Sequence, residues 1–102
     1  MFGNKIRKLR EEKGLVLRQL AAALEIDTAT MSKIERGDRQ ARKDHLPILS
    51  EILDIDYQEL HTLWLAHKVY ELVVDEKDAM AALTVAEEQV AYIRNNKQSE
   101  IE

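Results

Sequence analysis

Short polar side chains and one amine are concentrated on one side of a helical segment between residues 27 and 37. Helical spacing from Asp27 places Met31 and Ile34 on one face, and Gly37 ends the pattern. The opposite face presents Thr28, Ala29, Ser32 and Lys33. Side chains this short allow a helix to approach the edges of DNA bases in the major groove. This face is therefore a candidate for reading DNA sequence.

The preceding segment supplies the element against which this helix must pack. Residues 17–24 form another short helical pattern with an apolar, alanine-rich face, and a three-residue turn separates the two. Ala21 is small where the helices approach each other, and Ile26 in the turn is suited to fill the gap between them. Two short helices joined in this way are typical of a helix-turn-helix motif.

Charge is distributed unevenly along the 102 residues. The net charge is −4, but residues 1–45 contain 11 Lys and Arg against 7 Asp and Glu. Residues 46–102 contain 4 against 12. This asymmetry predicts a basic surface that can face phosphates and an acidic part that faces elsewhere. The alternative is ordinary scatter of surface charge.

Composition favours an all-α protein, because helix-forming residues occur in long stretches with one proline and three glycines. Without cysteine, the chain can form neither a disulfide nor a cysteine-ligated metal site. No signal-peptide pattern opens the sequence, and no apolar run approaches the roughly 18 residues needed to cross a bilayer. We therefore expect a cytoplasmic protein that does not contact a membrane.

Several sequence motifs occur together in the first half of the chain. KIRKLREEKGL covers the first helical pattern, LAAAL lies in the second, IERG ends the third, and an apolar helix follows. In this combination, residues 3–55 resemble the Xre/Cro type of phage-repressor-like helix-turn-helix protein. The resemblance implies a five-helix DNA-binding domain over residues 1–55.

The resemblance implies a role for each exposed residue of the third helix. Thr28, Ala29 and Lys33 would read bases, and Ser32 is a further candidate. Lys33 can donate to O6 and N7 of guanine, while Ala29 can pack on the methyl group of thymine. Thr30 would instead contact a phosphate. The alternative for Thr28 and Ala29 is that they merely begin a helix.

Cationic residues outside this helix would contact phosphates or the minor groove. One is Arg18, and the others lie in the loop at residues 36–43. The loop residues are Arg36, Arg39, Arg42 and Lys43. Such contacts give salt-dependent affinity without sequence information, and a solvated charged loop is the alternative. Arg10 and Glu35 fall where the family has a structural ion pair, unless they are independently solvated.

The sequence departs from the family pattern at two places. Val16 and Leu17 stand where the family usually has Thr or Ser followed by a phosphate-contacting Gln, so backbone amides or Arg18 would have to replace that contact. Glu25 stands where the family usually has a turn glycine. A left-handed backbone there costs a non-glycine residue about 1 kcal/mol.

Beyond residue 55 the pattern predicts two further helices. Asp56 and Glu59 are spaced like a capping pair at the start of a helix over residues 57–74. That helix has two apolar stripes, more than one packing contact needs. A last helix over residues 76–94 has apolar residues at alternating steps of four and three, which is typical of a helix–helix seam.

Two further sequence patterns in this C-terminal part concern the continuity of the last helix and the end of the chain. Thr84 and Glu87 are spaced like a capping box that would begin a new helix, but the seam runs through Thr84 and favours one continuous helix. The polar residues 95–102 predict a disordered tail.

We expect residues 56–94 to form a dimerisation extension, because a single recognition helix contacts too few base pairs to select a site. Two copies about 34 Å apart can read the halves of an inverted repeat. The alternative is an intramolecular hairpin that closes on itself. The predicted interface residues are Leu60, Leu63, Trp64, Tyr70, Val73, Leu83, Ala86, Val90 and Ile93.

These features predict a sequence-specific transcriptional regulator that blocks or recruits RNA polymerase. Its length and C-terminal helices resemble the autoregulating controller proteins of restriction–modification operons. Compact phage repressors are equally similar over the first 55 residues, and an antitoxin-like module that binds a heterologous protein is a further alternative. His67 and Glu71 share a helix face but fit a surface pair better than a ligand set. We expect no enzymatic activity, metal or cofactor.

Overall fold

The computed structural model describes the backbone of residues 1–101 and the side chains of residues 1–97. Over this range the chain is all-helical, with six α-helices and one short 3-10 turn, which confirms the predicted all-α class. The helices are α1 (Phe2–Glu12), α2 (Leu17–Ala23), α3 (Thr28–Arg36), α4 (Leu46–Leu53), α5 (Tyr57–Val73) and α6 (Ala79–Ile101). The 3-10 turn covers Lys43–His45 and leads directly into α4.

The first compact unit comprises Met1–Lys68, and a second unit begins at Val69. This boundary lies inside α5, whereas the sequence suggested a boundary after residue 55. The difference arises because Leu60 and Trp64, near the start of α5, are buried in the apolar core of the first unit. The first unit therefore includes most of α5 as its fifth helix.

The core of the first unit takes at least one side chain from each of its five helices. Burying a large apolar side chain contributes about 1.5–3 kcal/mol, so this shared core holds the five helices together. The largest fully buried side chains are Ile6, Leu20, Met31, Leu46, Leu49, Leu53 and Leu60.

The helix α1 crosses α3 at very close range. A Cβ atom added to Gly3 would lie 2.5 Å from the carbonyl oxygens of both Ile34 and Glu35. Glycine is therefore required at this crossing. The helix begins at Phe2, ahead of the KIRKLREEKGL pattern, and Phe2 is itself buried in the core.

The second unit consists of the end of α5 and all of α6. α6 is continuous through Thr84, whose hydroxyl donates to the carbonyl of Met80 at 3.1 Å, so no new helix begins there. Residues 95–101 continue the helix where the sequence indicated a disordered tail, and residue 102 lies outside the described residues. Extending an existing helix needs no nucleation, and the segment contains neither glycine nor proline.

Glu25 has a left-handed backbone in the turn between α2 and α3, with φ of 57°. Its amide donates to the carbonyl of Ala22 at 3.1 Å, and the amide of Ile26 donates to the carbonyl of Ala21 at 3.0 Å. The turn thus keeps the conformation for which the family uses glycine, and Glu25 bears the steric cost.

Replacing Glu25 with glycine should therefore stabilise the protein. Relief of the left-handed strain, about 1 kcal/mol, matches or exceeds the extra unfolded-state freedom of glycine, about 0.5–1 kcal/mol. Thermal unfolding should show a Tm that is higher by up to a few degrees for Glu25→Gly. Glu51→Gly, inside α4, serves as the control and should lose about 1 kcal/mol. A lower Tm for Glu25→Gly would contradict the assigned turn geometry.

Candidate nucleic-acid interface

Local capping fixes both ends of α3. The Oδ1 atom of Asp27 accepts a hydrogen bond from the amide of Thr30 at 2.6 Å. Hydrogen bonds from Thr30 lower the pKa of Asp27, and the positive charges of Arg39 and Lys33 lower it further, so the cap is a carboxylate near neutral pH. Gly37 ends the helix with a left-handed backbone at φ of 82°. The helix bounds therefore agree with those predicted from sequence.

The two sides of α3 differ sharply in burial. Met31, Ile34 and Glu35 are buried against the rest of the first unit. The predicted base-reading residues lie on the accessible side, which forms a single surface of short side chains around one amine. Thr28, Ala29 and Lys33 are exposed, whereas Thr30 and Ser32 are half-buried.

Arg10 and Glu35 form an ion pair between α1 and α3. The guanidinium donates to both carboxylate oxygens, from Nε at 2.7 Å and from Nη2 at 3.0 Å, and Nη1 donates to the carbonyl of Leu15 at 2.9 Å. The hydrogen bonds to Glu35 raise the pKa of Arg10 above its ordinary value. Only 13% and 6% of the two side chains are exposed, so neither charge is available to DNA. The pair is a structural support for α3.

The start of α2 shows how the chain accommodates its departure from the family pattern. Val16 has no side-chain acceptor, and the Oε1 atom of Gln19 accepts a hydrogen bond from the Val16 amide at 2.8 Å. Leu17 is half-buried and packs against the core, so it cannot contact a phosphate. Arg18 is exposed one residue further on. Arg18 is therefore the cationic candidate at this helix end.

Basic residues are exposed along the loop that follows α3. Arg36 lies 3.3 Å from a carboxylate oxygen of Asp38, and Arg42 donates to Asp44 at 2.6 Å. The other predicted phosphate contacts in this segment, Arg39 and Lys43, are also exposed. Exposed ion pairs contribute about 0–1 kcal/mol, so these carboxylates hold their arginines only weakly.

Trp64 attaches this loop to α5. The indole Nε1 donates to the carbonyl of Ala41 at 2.7 Å, and Nε2 of Gln40 donates to the carbonyl of Trp64 at 3.1 Å. The prediction that Trp64 and Leu60 lie at a dimer interface is wrong, because both are buried within the chain's own core. A buried indole N–H needs a hydrogen-bond acceptor. This requirement is the feature of the sequence that could have predicted a contact between Trp64 and the chain's own backbone.

Two further properties concern the part of the chain that the structure describes. No group of three or more His, Asp or Glu side chains there is arranged to hold a metal ion. None of the helices in that part combines the length and apolar character that crossing a membrane requires.

A five-helix domain with a short capped helix, packed on a preceding helix across a tight turn, defines a helix-turn-helix protein. The sequence profile of the helix-turn-helix family matches residues 6–60, more than half of the chain. The chain therefore belongs to the Xre-like helix-turn-helix family.

A curated relative is the uncharacterized HTH-type transcriptional regulator RghRB of Bacillus subtilis (strain 168). It is 38% identical to this chain over 60 residues, which cover 58% of this chain and 43% of the relative. The chain thus spans less than half the length of that regulator. No solved structure matches the chain.

Removing one partner of the Arg10–Glu35 pair should destabilise the fold strongly. Arg10→Met leaves a buried carboxylate without its cation, which costs about 3–5 kcal/mol. The double variant Arg10→Met/Glu35→Met removes both charges and should lose less than Arg10→Met alone. Urea unfolding of each variant measures these differences. As the control, Arg7→Met breaks the exposed Arg7–Glu11 pair and should cost less than about 1 kcal/mol. Additive losses in the double variant would contradict the coupling.

Proposed function

We propose that the protein is a sequence-specific DNA-binding transcriptional regulator whose helix α3 lies in the major groove. The observation that carries this proposal is the exposed set of Thr28, Ala29 and Lys33 on a capped helix with a buried opposite face. An α-helix with its side chains is about 10–12 Å across, so α3, which is nine residues long, fits a major groove about 12 Å wide.

The surrounding charges support a role for the first half of the chain in holding phosphates. Arg18, Arg39 and Lys43 are exposed, and Arg36 and Arg42 have only solvent-exposed partners. Such residues orient a protein on the duplex, whereas base contacts give the specificity. The name of the relative RghRB, an uncharacterized HTH-type transcriptional regulator, supports the proposed regulatory function.

The proposed active form is a homodimer that reads an inverted repeat. The second unit supports it, because large apolar side chains of this unit are exposed in the single chain. They include Leu72, Met80, Val85, Val90, Tyr92 and Ile93. So many large exposed apolar side chains within one short segment suit a surface that another protein covers. We retain Tyr70, Val73, Leu83, Ala86, Val90 and Ile93 as interface residues. We exclude Leu60 and Trp64, which are buried, and Leu63, which is partly buried against the chain's own core.

The biological role proposed is that of a cytoplasmic regulator acting through binding and not through catalysis. Within this class, the controller of a restriction–modification operon fits the helices that follow the first unit, and a phage-type repressor fits the first unit equally well. The exposed apolar side chains of α6 also suit an antitoxin-like module that captures a heterologous protein. The bound protein would repress transcription if it blocks RNA polymerase at the operator, and activate transcription if it recruits the polymerase.

Selection of bound sequences from random duplexes tests the reading role. The wild-type protein should enrich an inverted repeat with half-sites about 34 Å apart. Lys33→Ala should relax the preference at one position in each half-site, with a loss of about 1–3 kcal/mol in discrimination. Lys43→Ala, the matched control, should weaken binding to all sequences equally. A wild-type protein that prefers no sequence over competitor DNA would contradict the proposed function.

Analytical ultracentrifugation tests the dimer. The wild-type protein should sediment as a dimer at micromolar concentration, and Val90→Glu should sediment as a monomer because it places a charge in the apolar seam. Gln89→Glu adds the same charge at the neighbouring exposed position and should remain dimeric. A monomeric wild-type protein would exclude the homodimer, and its association with another protein would then favour the antitoxin-like module.

A further inference from the structure

A shallow, open cleft of about 610 Å³ lies between the loop that follows α3 and helix α5. Its described lining contains three cationic side chains, Arg42, Lys43 and Lys68, and the carboxylate of Asp44, which pairs with Arg42. The lining therefore carries a formal charge of +2 in a chain whose net charge is −4. The remaining lining residues are Gln40, Ala41 and Trp64.

Lys68 reaches this cleft from an otherwise acidic part of the sequence. The chain contains no Lys or Arg between Lys43 and Lys68. The fold nevertheless returns the Lys68 amine to the basic loop, because α5 packs its Trp64 beneath that loop. One cation from α5 is thus added to those that follow α3.

The indole of Trp64 determines where the Lys68 amine lies. The Nζ atom is 4.2 Å from the centroid of the Trp64 ring, within range of a cation–π interaction. This attraction orients the amine and leaves its charge and its hydrogen-bond donors available. Because the same indole donates to Ala41, one side chain positions both the loop and the amine.

We propose that this cleft binds a backbone phosphate of duplex DNA and that Lys68 is the contact contributed by α5. The inference rests on the proposed function and extends it beyond residues 6–60, the segment that matches the family. A phosphate fits the net positive charge and the open shape, which lets a continuous strand cross the cleft. Stacking of a base on Trp64 is excluded, because only 6% of that residue is exposed.

The salt dependence of binding to a mixed-sequence duplex of about two helical turns, roughly 20 base pairs, tests the contact. Removing one phosphate contact should reduce the slope of log K against log salt by about 0.9 between roughly 50 and 200 mM. Lys68→Gln should therefore show this smaller slope. Lys77→Gln makes the same charge change at an exposed turn position of the second unit and should keep the wild-type slope. An unchanged slope for Lys68→Gln, or an equal reduction for Lys77→Gln, would overturn the proposal.

A second measurement distinguishes a DNA phosphate from a free anion. Trp64 is the single tryptophan of the chain, so its fluorescence reports on this cleft. The duplex should change the emission of the wild-type protein and have a smaller effect on Lys68→Gln. Inorganic phosphate at the same ionic strength should leave the emission unchanged. An equal response to inorganic phosphate would identify a free-anion site and overturn the assignment to duplex DNA.

The two proposals fail in distinguishable ways. A wild-type protein without sequence preference would overturn the regulatory function, yet the mixed-sequence duplex would still register the Lys68 contact. If the wild-type protein selects an operator but Lys68→Gln leaves the slope of log K against log salt unchanged, the regulatory function stands and the phosphate site in the cleft is overturned.

Discussion

Glu35 lies on the buried side of α3, opposite the exposed side that we propose contacts DNA, and its carboxylate is buried against Arg10. A buried carboxylate requires a cationic partner in a fixed geometry, since leaving it unpaired costs about 3–5 kcal/mol. The two hydrogen bonds from Arg10 therefore fix how α3 is rotated about its own axis. Gly3 reinforces the same constraint, because the crossing of α1 and α3 leaves no space for a side chain. Contacts on the buried side of α3 thus determine which of its residues face outward.

The parts of this fold that have local causes are the ones that the sequence predicts. Asp27 and Gly37 mark the ends of α3 through capping, and Asp56 caps α5 by accepting from the amide of Glu59 at 3.1 Å. Helical periodicity correctly separates the buried face of α3 from its exposed face. The Arg10–Glu35 pair lies between distant segments, and the sequence pointed to it through the family resemblance alone.

Other features could not be predicted because they depend on which element covers which. The apolar periodicity of α5 indicates that a face is buried, but it does not distinguish the chain's own core from a partner. Leu60 and Trp64 belong to the chain's own core, as their burial in the single chain demonstrates. The close approach at Gly3 likewise involves carbonyl groups far along the sequence. Composition alone also gave the wrong expectation for residues 95–101, where helix propagation outweighs polarity.

The loop arginines carry their own counterions, with Arg36 beside Asp38 and Arg42 beside Asp44. A guanidinium with a neighbouring carboxylate gains less from a phosphate than a solvated one does, because the displaced carboxylate then faces the polyanion. Under the proposed function, this arrangement would weaken binding to arbitrary sequence more than it weakens readout of bases. Since non-specific sites vastly outnumber operators in a genome, weaker non-specific binding would shorten the search for the operator.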